Sequence, residues 1–134
     1  MTAITIIDDE KRTLLYHIDS RVVHHTMKCT VSGPDFRDLL TRGAECLEQH
    51  KAAKWLSDDR KNGPLGPEDS DWGETIWGPR VLKAGFKFWA IVVPAHAVGT
   101  LQMRRFANLY RDRGVAVEVC GDLEGAWSWL KSAR

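Results

Sequence analysis

The run FKFWAIVV, residues 86–93, constrains this chain more than any other stretch. It is almost continuously apolar, rich in aromatic and β-branched side chains, and closed by Pro94. A strand with one wet face alternates polar and apolar residues. A strand that does not alternate is covered on both faces, as in the middle of a parallel sheet. Parallel neighbours in turn require helical crossovers. The short run Ala53–Leu56 is the expected neighbour, and the polar stretch SDDRKNG follows it directly. Side by side, the two strands would open their exits on one rim, where open α/β sheets place their sites.

The remaining elements fit around that pair. Ala3–Ile7, Leu14–Ile18 and Val22–Val31 are β-prone runs separated by tight polar turns, which makes them antiparallel neighbours. In the third run, Val23, His25, Met27, Cys29 and Val31 share one face and form the expected core side; His24 lies on the other. Ser32-Gly33-Pro34 starts a helix whose Phe36, Leu39, Leu40, Gly43 and Leu47 recur at helical spacing, ending near His50-Lys51. Small Gly43 would allow that helix close to the sheet. Ser57 to Pro67 reads as a loop. Pro67 opens the next helix, in which Trp72 and Ile76 face one way at i,i+4, Gly78-Pro79 imposes a kink, and Gly85 caps the end. Thr100 caps a helix to Arg113 with Met103, Phe106, Ala107 and Tyr110 as its stripe. Val115, Val117 and Val119 alternate along a last strand, and Asp122 caps a final helix. The order βββ-αβ-α-βα-βα predicts one mixed-sheet α/β domain over residues 1–134.

Composition narrows the function classes. With 134 residues the chain buries about two-thirds of its unfolded surface and needs no disulfide or metal to hold a core. The 19 basic and 18 acidic residues nearly cancel, so no global field draws nucleic acid or anionic lipid. The arginines at 104, 105, 111 and 113 read as a solvent face. Cys29, Cys46 and Cys120 match no zinc or redox spacing, and the acidic start and short apolar runs suit neither a signal peptide nor a membrane span. A cytoplasmic protein is expected. His25 and Cys29 share a strand face but stand about 13 Å apart along an ideal strand, too far to ligate one ion. Gly63, Gly66 and Gly73 match neither a dinucleotide fingerprint nor a P-loop, so no cofactor is expected.

The segments VSGPDFRDLL (31–40), KWLSDDRKNGPL (54–65), WGETIWGPRVLKAGFKFWAIVVP (72–94) and GVAVEVCGDLEGAWSWL (114–130) resemble the small bacterial proteins described as STAS/SEC14-like or SpoIIAA-like. The resemblance spans nearly the whole chain. It implies a mixed sheet with packed helices, a protein partner and a homodimer. Anti-sigma-factor antagonists, in the wider group, bind a kinase and switch by phosphorylation of a serine in a short Asp-Ser motif. Here the corresponding loop reads Ser57-Asp58-Asp59-Arg60, a departure from that order.

Three sets of side chains are candidates for a site. The first is Ser57, Asp58, Asp59 and Arg60, with His96 brought to the same edge from beyond the second strand; an imidazole near acids suits polar ligand binding or proton transfer. The plainer reading has Asp58 cap a turn and pair with Arg60 or Arg80. The second is Arg80, a guanidinium able to hold a carboxylate or phosphate but expected to brace the 57–60 loop. The third is tryptophan: Trp72, Trp77 and Trp89 line a pocket for an apolar or aromatic ligand or pack the core, while Trp77 and Trp129 fall off the main stripes and suit a pocket lip or dimer surface. No nucleophile–base spacing is visible. The leading expectation is a non-enzymatic regulatory or protein-interaction module that presents the 57–60 loop and the following helix to a partner. The alternative is a small-molecule binding domain walled by tryptophan.

Overall fold

Six strands lie side by side in the order in which the chain makes them. The computed structural model describes residues 2–93 and 97–134. β1 (Ala3–Asp8), β2 (Arg12–His17) and β3 (Val22–Met27) form an antiparallel meander, and β4 (Lys54–Asp58), β5 (Phe88–Val92) and β6 (Ala116–Cys120) continue from β3 in parallel. Tight turns suffice for the meander. Each parallel step needs a helical crossover: α1 (Gly33–His50); then α2 (Pro67–Trp72), a π-helical turn (Gly73–Trp77) and α3 (Gly78–Ala84); then α4 (Ala97–Asp112). With strands added in one direction, right-handed crossovers all fall on the same face. The final helix, α5 (Leu123–Ser132), has no strand to reach and folds back over the opposite face of β4–β6.

Two cores result. The larger joins Leu14, Tyr16, Val23, Met27, Trp55, Trp89, Ile91 and Val117 to α1, α3 and α4. The smaller joins Val22, Leu56, Ala90 and Val92 to Ala126 and Leu130 of α5. Central β5 is therefore covered on both sides, which is why its sequence does not alternate. It also explains a departure in β3. His24, expected on an outer face, is buried against Trp127 of α5, its Nδ1 3.1 Å from His17 Nε2. Cys29 is exposed rather than core, because β3 ends at Met27.

Helix ends follow local chemistry. Pro34 stands in the first turn of α1, and Lys51 terminates that helix in the left-handed region with its N–H on Leu47. Gly85 ends α3 at φ 101°, a conformation that disfavours a Cβ. The Asp122 carboxylate accepts from Gly125 N at 2.7 Å and caps α5. Thr100 lies inside α4, which begins at Ala97. Among the described residues no helix is long and apolar enough to cross a membrane.

The closest approach of helix to sheet is at Gly43. A Cβ there would lie 2.8 Å from Trp55 Cζ3, 2.9 Å from Cζ2 and closer still to Cη2. Trp55 is fully buried and cannot swing away. Alanine gains about 1 kcal/mol over glycine in helix propensity, but overpacking of this kind costs about 1–3 kcal/mol and more against a rigid ring. Gly43→Ala is expected to lower unfolding stability by about 2 kcal/mol, read as a fall in the urea midpoint at unchanged slope; an unchanged or raised midpoint would show that α1 does not rest on Trp55.

The His24 imidazole makes stability depend on pH. Burial, then the neighbouring His17 and His25, pull it down from 6.5 to about 4 against a smaller opposing pull from Asp58. Above pH 6.5 the group is neutral folded or unfolded and contributes no penalty. As pH falls, the unfolded chain takes the proton first, so stability drops between about pH 6.5 and pH 4, by about 3 kcal/mol, and levels below. Urea melts across that range should show the slope in the native protein and a flatter profile in His24→Gln.

Candidate functional site

Strand alternation decides which of the predicted site residues meet. Ser57 lies inside β4, not in the loop after it, and is 1% exposed. Its side chain points to the α1/α4 face, and Asp59 returns to that face two residues on. Asp58 and Arg60 go the other way. Arg60 Nε and Nη2 clamp the Asp58 carboxylate at 2.9 and 2.7 Å. Burial raises the Asp58 carboxyl, but the Arg60 hydrogen bonds and charge outweigh it and leave its pKa below the ordinary value. That pair is structural, as the plainer reading has it. The cluster expected to act together is thus split by the sheet.

Arg80 does not brace the 57–60 loop. It holds Glu48 of α1 with two hydrogen bonds, 2.9 and 2.8 Å, tying α3 to α1. Trp72 is half-buried, edge-on to Phe36 with the Arg37 guanidinium over its ring. His96 lies outside the described residues.

Trp77 is not a surface residue. It is 5% exposed, at the centre of the larger core, while Ile76 is 59% exposed. The reason is the π-helical turn. Its wider turn inserts one residue, so the position stacked below Trp72 is i+5 rather than i+4. Gly78 N closes the turn on Gly73 O, which also accepts from the Tyr110 hydroxyl at 3.2 Å. Trp77 Nε1 donates to Leu40 O at 3.0 Å. Burial pushes the Tyr110 phenol up, so it stays a donor.

These residues line a cavity of about 50 Å³, open toward the half-buried Leu65 and Phe106, under the C-terminal ends of β4 and β5. Trp55, Trp77, Trp89, Phe36, Phe106 and Tyr110 supply aromatic walls, with Met27, Leu40 and Met103 between them. Trp77 meets Trp55 edge-on at 5.2 Å between centroids, and Trp89 meets Tyr110 the same way at 5.0 Å. Leu65 and Asn62, from the 59–66 loop, complete the lining. Gln102 of α4 latches that loop with both amide atoms, accepting from Leu65 N at 2.8 Å and donating to Leu65 O at 3.0 Å.

The polar groups in this wall are few and ordered. Parallel pairing sets His25 beside Ser57 and Trp55 beside Trp89. The indole N–H of Trp89 donates to Ser57 Oγ at 2.8 Å. The indole N–H of Trp55 donates to His25 Nδ1 at 3.0 Å, and His25 Nε2 lies 2.9 Å from Asp59 Oδ1. An indole can only donate, so Nδ1 must accept, and the imidazole proton sits on Nε2 and points at Asp59. One tryptophan thereby fixes the histidine tautomer, and the histidine orients the carboxylate.

His25 was legible as a core-face residue of β3 but not as part of this relay, and Trp55, Asn62 and Tyr110 carried no site signal of their own. The available signal was Ser57 and Asp59, two apart on one strand face. Among the described residues no group of histidines, cysteines and acids is placed to hold a metal ion. No protein-family model, curated protein or solved structure matches the chain. The chain has a mixed α/β fold with a six-stranded sheet and a cavity walled by buried aromatic side chains.

Removing one member of a buried pair strands the other. Asp59→Leu leaves the His25 Nε2–H without an acceptor and is expected to cost about 1–3 kcal/mol. Asp59→Asn keeps an acceptor oxygen and should cost less. Equal losses in the two variants, measured by urea unfolding, would mean that the His25–Asp59 bond is not formed.

Proposed function

We propose that this chain is a small-molecule binding domain whose ligand enters the aromatic cavity between Trp55, Trp77, Trp89 and Tyr110. The observation that supports the reading is unfilled space among buried aromatic side chains. Protein interiors close on themselves to crystal density, and a cavity well above the ~10–15 Å³ that admits one water is uncommon there. This one measures about 50 Å³, is walled by rings, and keeps Ser57 and Asp59 on its surface. An apolar pocket with a few convergent polar groups is the usual form of a ligand site. Its size selects small occupants: an engineered cavity that takes benzene measures about 150 Å³.

Kinship with the SpoIIAA-like group is also a proposal, supported by the quoted segments and by the mixed sheet. A regulatory module of that kind would meet its partner through the 57–60 loop. Ser57 is buried and bonded to Trp89, so the geometry favours the ligand over the partner.

Xenon is small enough for the cavity as it stands. A crystal pressurised with xenon should show an atom between Trp77 and Trp89, and Met103→Ala should enlarge the space until benzene raises the melting temperature, by the linkage of ligand to folding, while benzene leaves the native protein unaffected. Absence of xenon from the cavity would overturn the reading.

A further inference from the structure

We propose that the ligand group taken by this cavity is a small organic cation, a primary or secondary alkylammonium. The inference rests on the ligand-binding reading and adds the charge of the ligand to it. Among the described residues Asp59 is the one acidic side chain in the cavity wall, and no lysine or arginine lines it. The nearby cations are engaged elsewhere: Arg60 with Asp58 across the sheet, Arg37 with Asp69, Arg80 with Glu48. His25 engages Asp59 through Nε2, its Nδ1 being taken by the Trp55 indole N–H. A buried carboxylate with no cation beside it is costly.

The hydrogen-bond count agrees. An ionised carboxylate offers about four acceptor sites. Among the described residues Asp59 uses one oxygen, Oδ1, toward His25. Among the described residues Oδ2 takes no hydrogen bond, and Asp59 lines the cavity. That acceptor suits an N–H donor carrying positive charge.

The walls supply the second half of the recognition. Aromatic faces carry negative potential and attract a cation held within about 6 Å of the ring. Among the described residues six Trp, Phe and Tyr rings line the cavity, and Ser57 Oγ, which accepts from Trp89, has an O–H of its own to donate. A neutral apolar ligand would use the rings and leave Asp59 uncompensated. An anion would be repelled by both. At about 50 Å³ the space fits an ammonium with one or two methyl or methylene groups; a longer tail would leave past Leu65 and Phe106, which are only half-buried.

The test is a titration of the native protein with methylammonium and dimethylammonium chloride, against methanol and isopropanol as neutral counterparts and sodium chloride at matched ionic strength. Binding is read from the ¹⁵N–¹H signals of the Trp55 and Trp89 indoles, which both border the cavity, so the native protein alone localises the site. The expected result is saturable movement of both signals by the alkylammonium ions, at least tenfold stronger than by the alcohols, none by sodium, and loss of the cation preference in Asp59→Asn. Alcohols moving both signals as strongly as the ammonium ions would overturn the cation inference and leave the ligand reading intact. Cation binding unchanged in Asp59→Asn would do the same. No occupant of any kind at the two indoles would overturn both.

Discussion

The structure depends on how one indole is held. Trp55 stands in the fourth of six strands with no exposed surface, and every neighbour is arranged around it. Its ring is backed by a glycine of α1 because nothing larger fits. Its face receives Trp77 and Phe86 edge-on. Its N–H, which burial would otherwise make expensive, goes to His25. A side chain of this size buried without a partner for its nitrogen would be a liability. Buried with one, it carries order outward: the indole sets the tautomer, the tautomer aims the imidazole, and the imidazole positions Asp59.

The fold was legible because its signals are local or periodic. The unbroken apolar character of β5, the helical spacing of α1, Gly85 and the Asp122 cap each act within a few residues, and each appears where expected. The register of β4 against β5 follows from their parallel pairing, and Asp59 N bonding to Val92 O confirms that the two exits share a rim. What was not legible depends on non-local geometry. Nothing in WGETIWGP announces a π-helical turn, yet that one inserted residue exchanges Trp77 for Ile76 between core and solvent. Nor does β3 announce that α5 will cover its second face, so His24 reads as wet when it is dry.

The candidate site was half legible for the same reason. Ser57 and Asp59 were singled out as members of a polar loop, but the strand runs two residues further than composition suggests. Period-two alternation then sorts four consecutive polar residues into two jobs. Ser57 and Asp59 face the cavity; Asp58 and Arg60 pair with each other on the opposite face. Arg80 was misplaced because a guanidinium reaches far, and its partner, Glu48, lies 32 residues earlier on a helix whose packing angle no sequence pattern states.

A purely structural account of the cavity meets a difficulty in energetics. Buried polar networks stabilise a fold only when every member is satisfied, and replacement by well-packed apolar groups is often neutral or favourable. His25, Ser57 and Asp59 occupy positions that valine, alanine and leucine would fill in an ordinary core, next to space the rings do not close. The π-helical turn points the same way. It costs a regular helical hydrogen-bond pattern, and such turns recur at functional sites. Here it delivers Trp77 into the wall beside Trp55, and its Gly73 O accepts from both Gly78 N and the Tyr110 hydroxyl. Local irregularity, a carboxylate with no lysine or arginine beside it among the described residues and unfilled volume coincide at one place under the exits of two strands. Each departs from what stability alone would select, and departures of that kind gather where a protein does something other than fold.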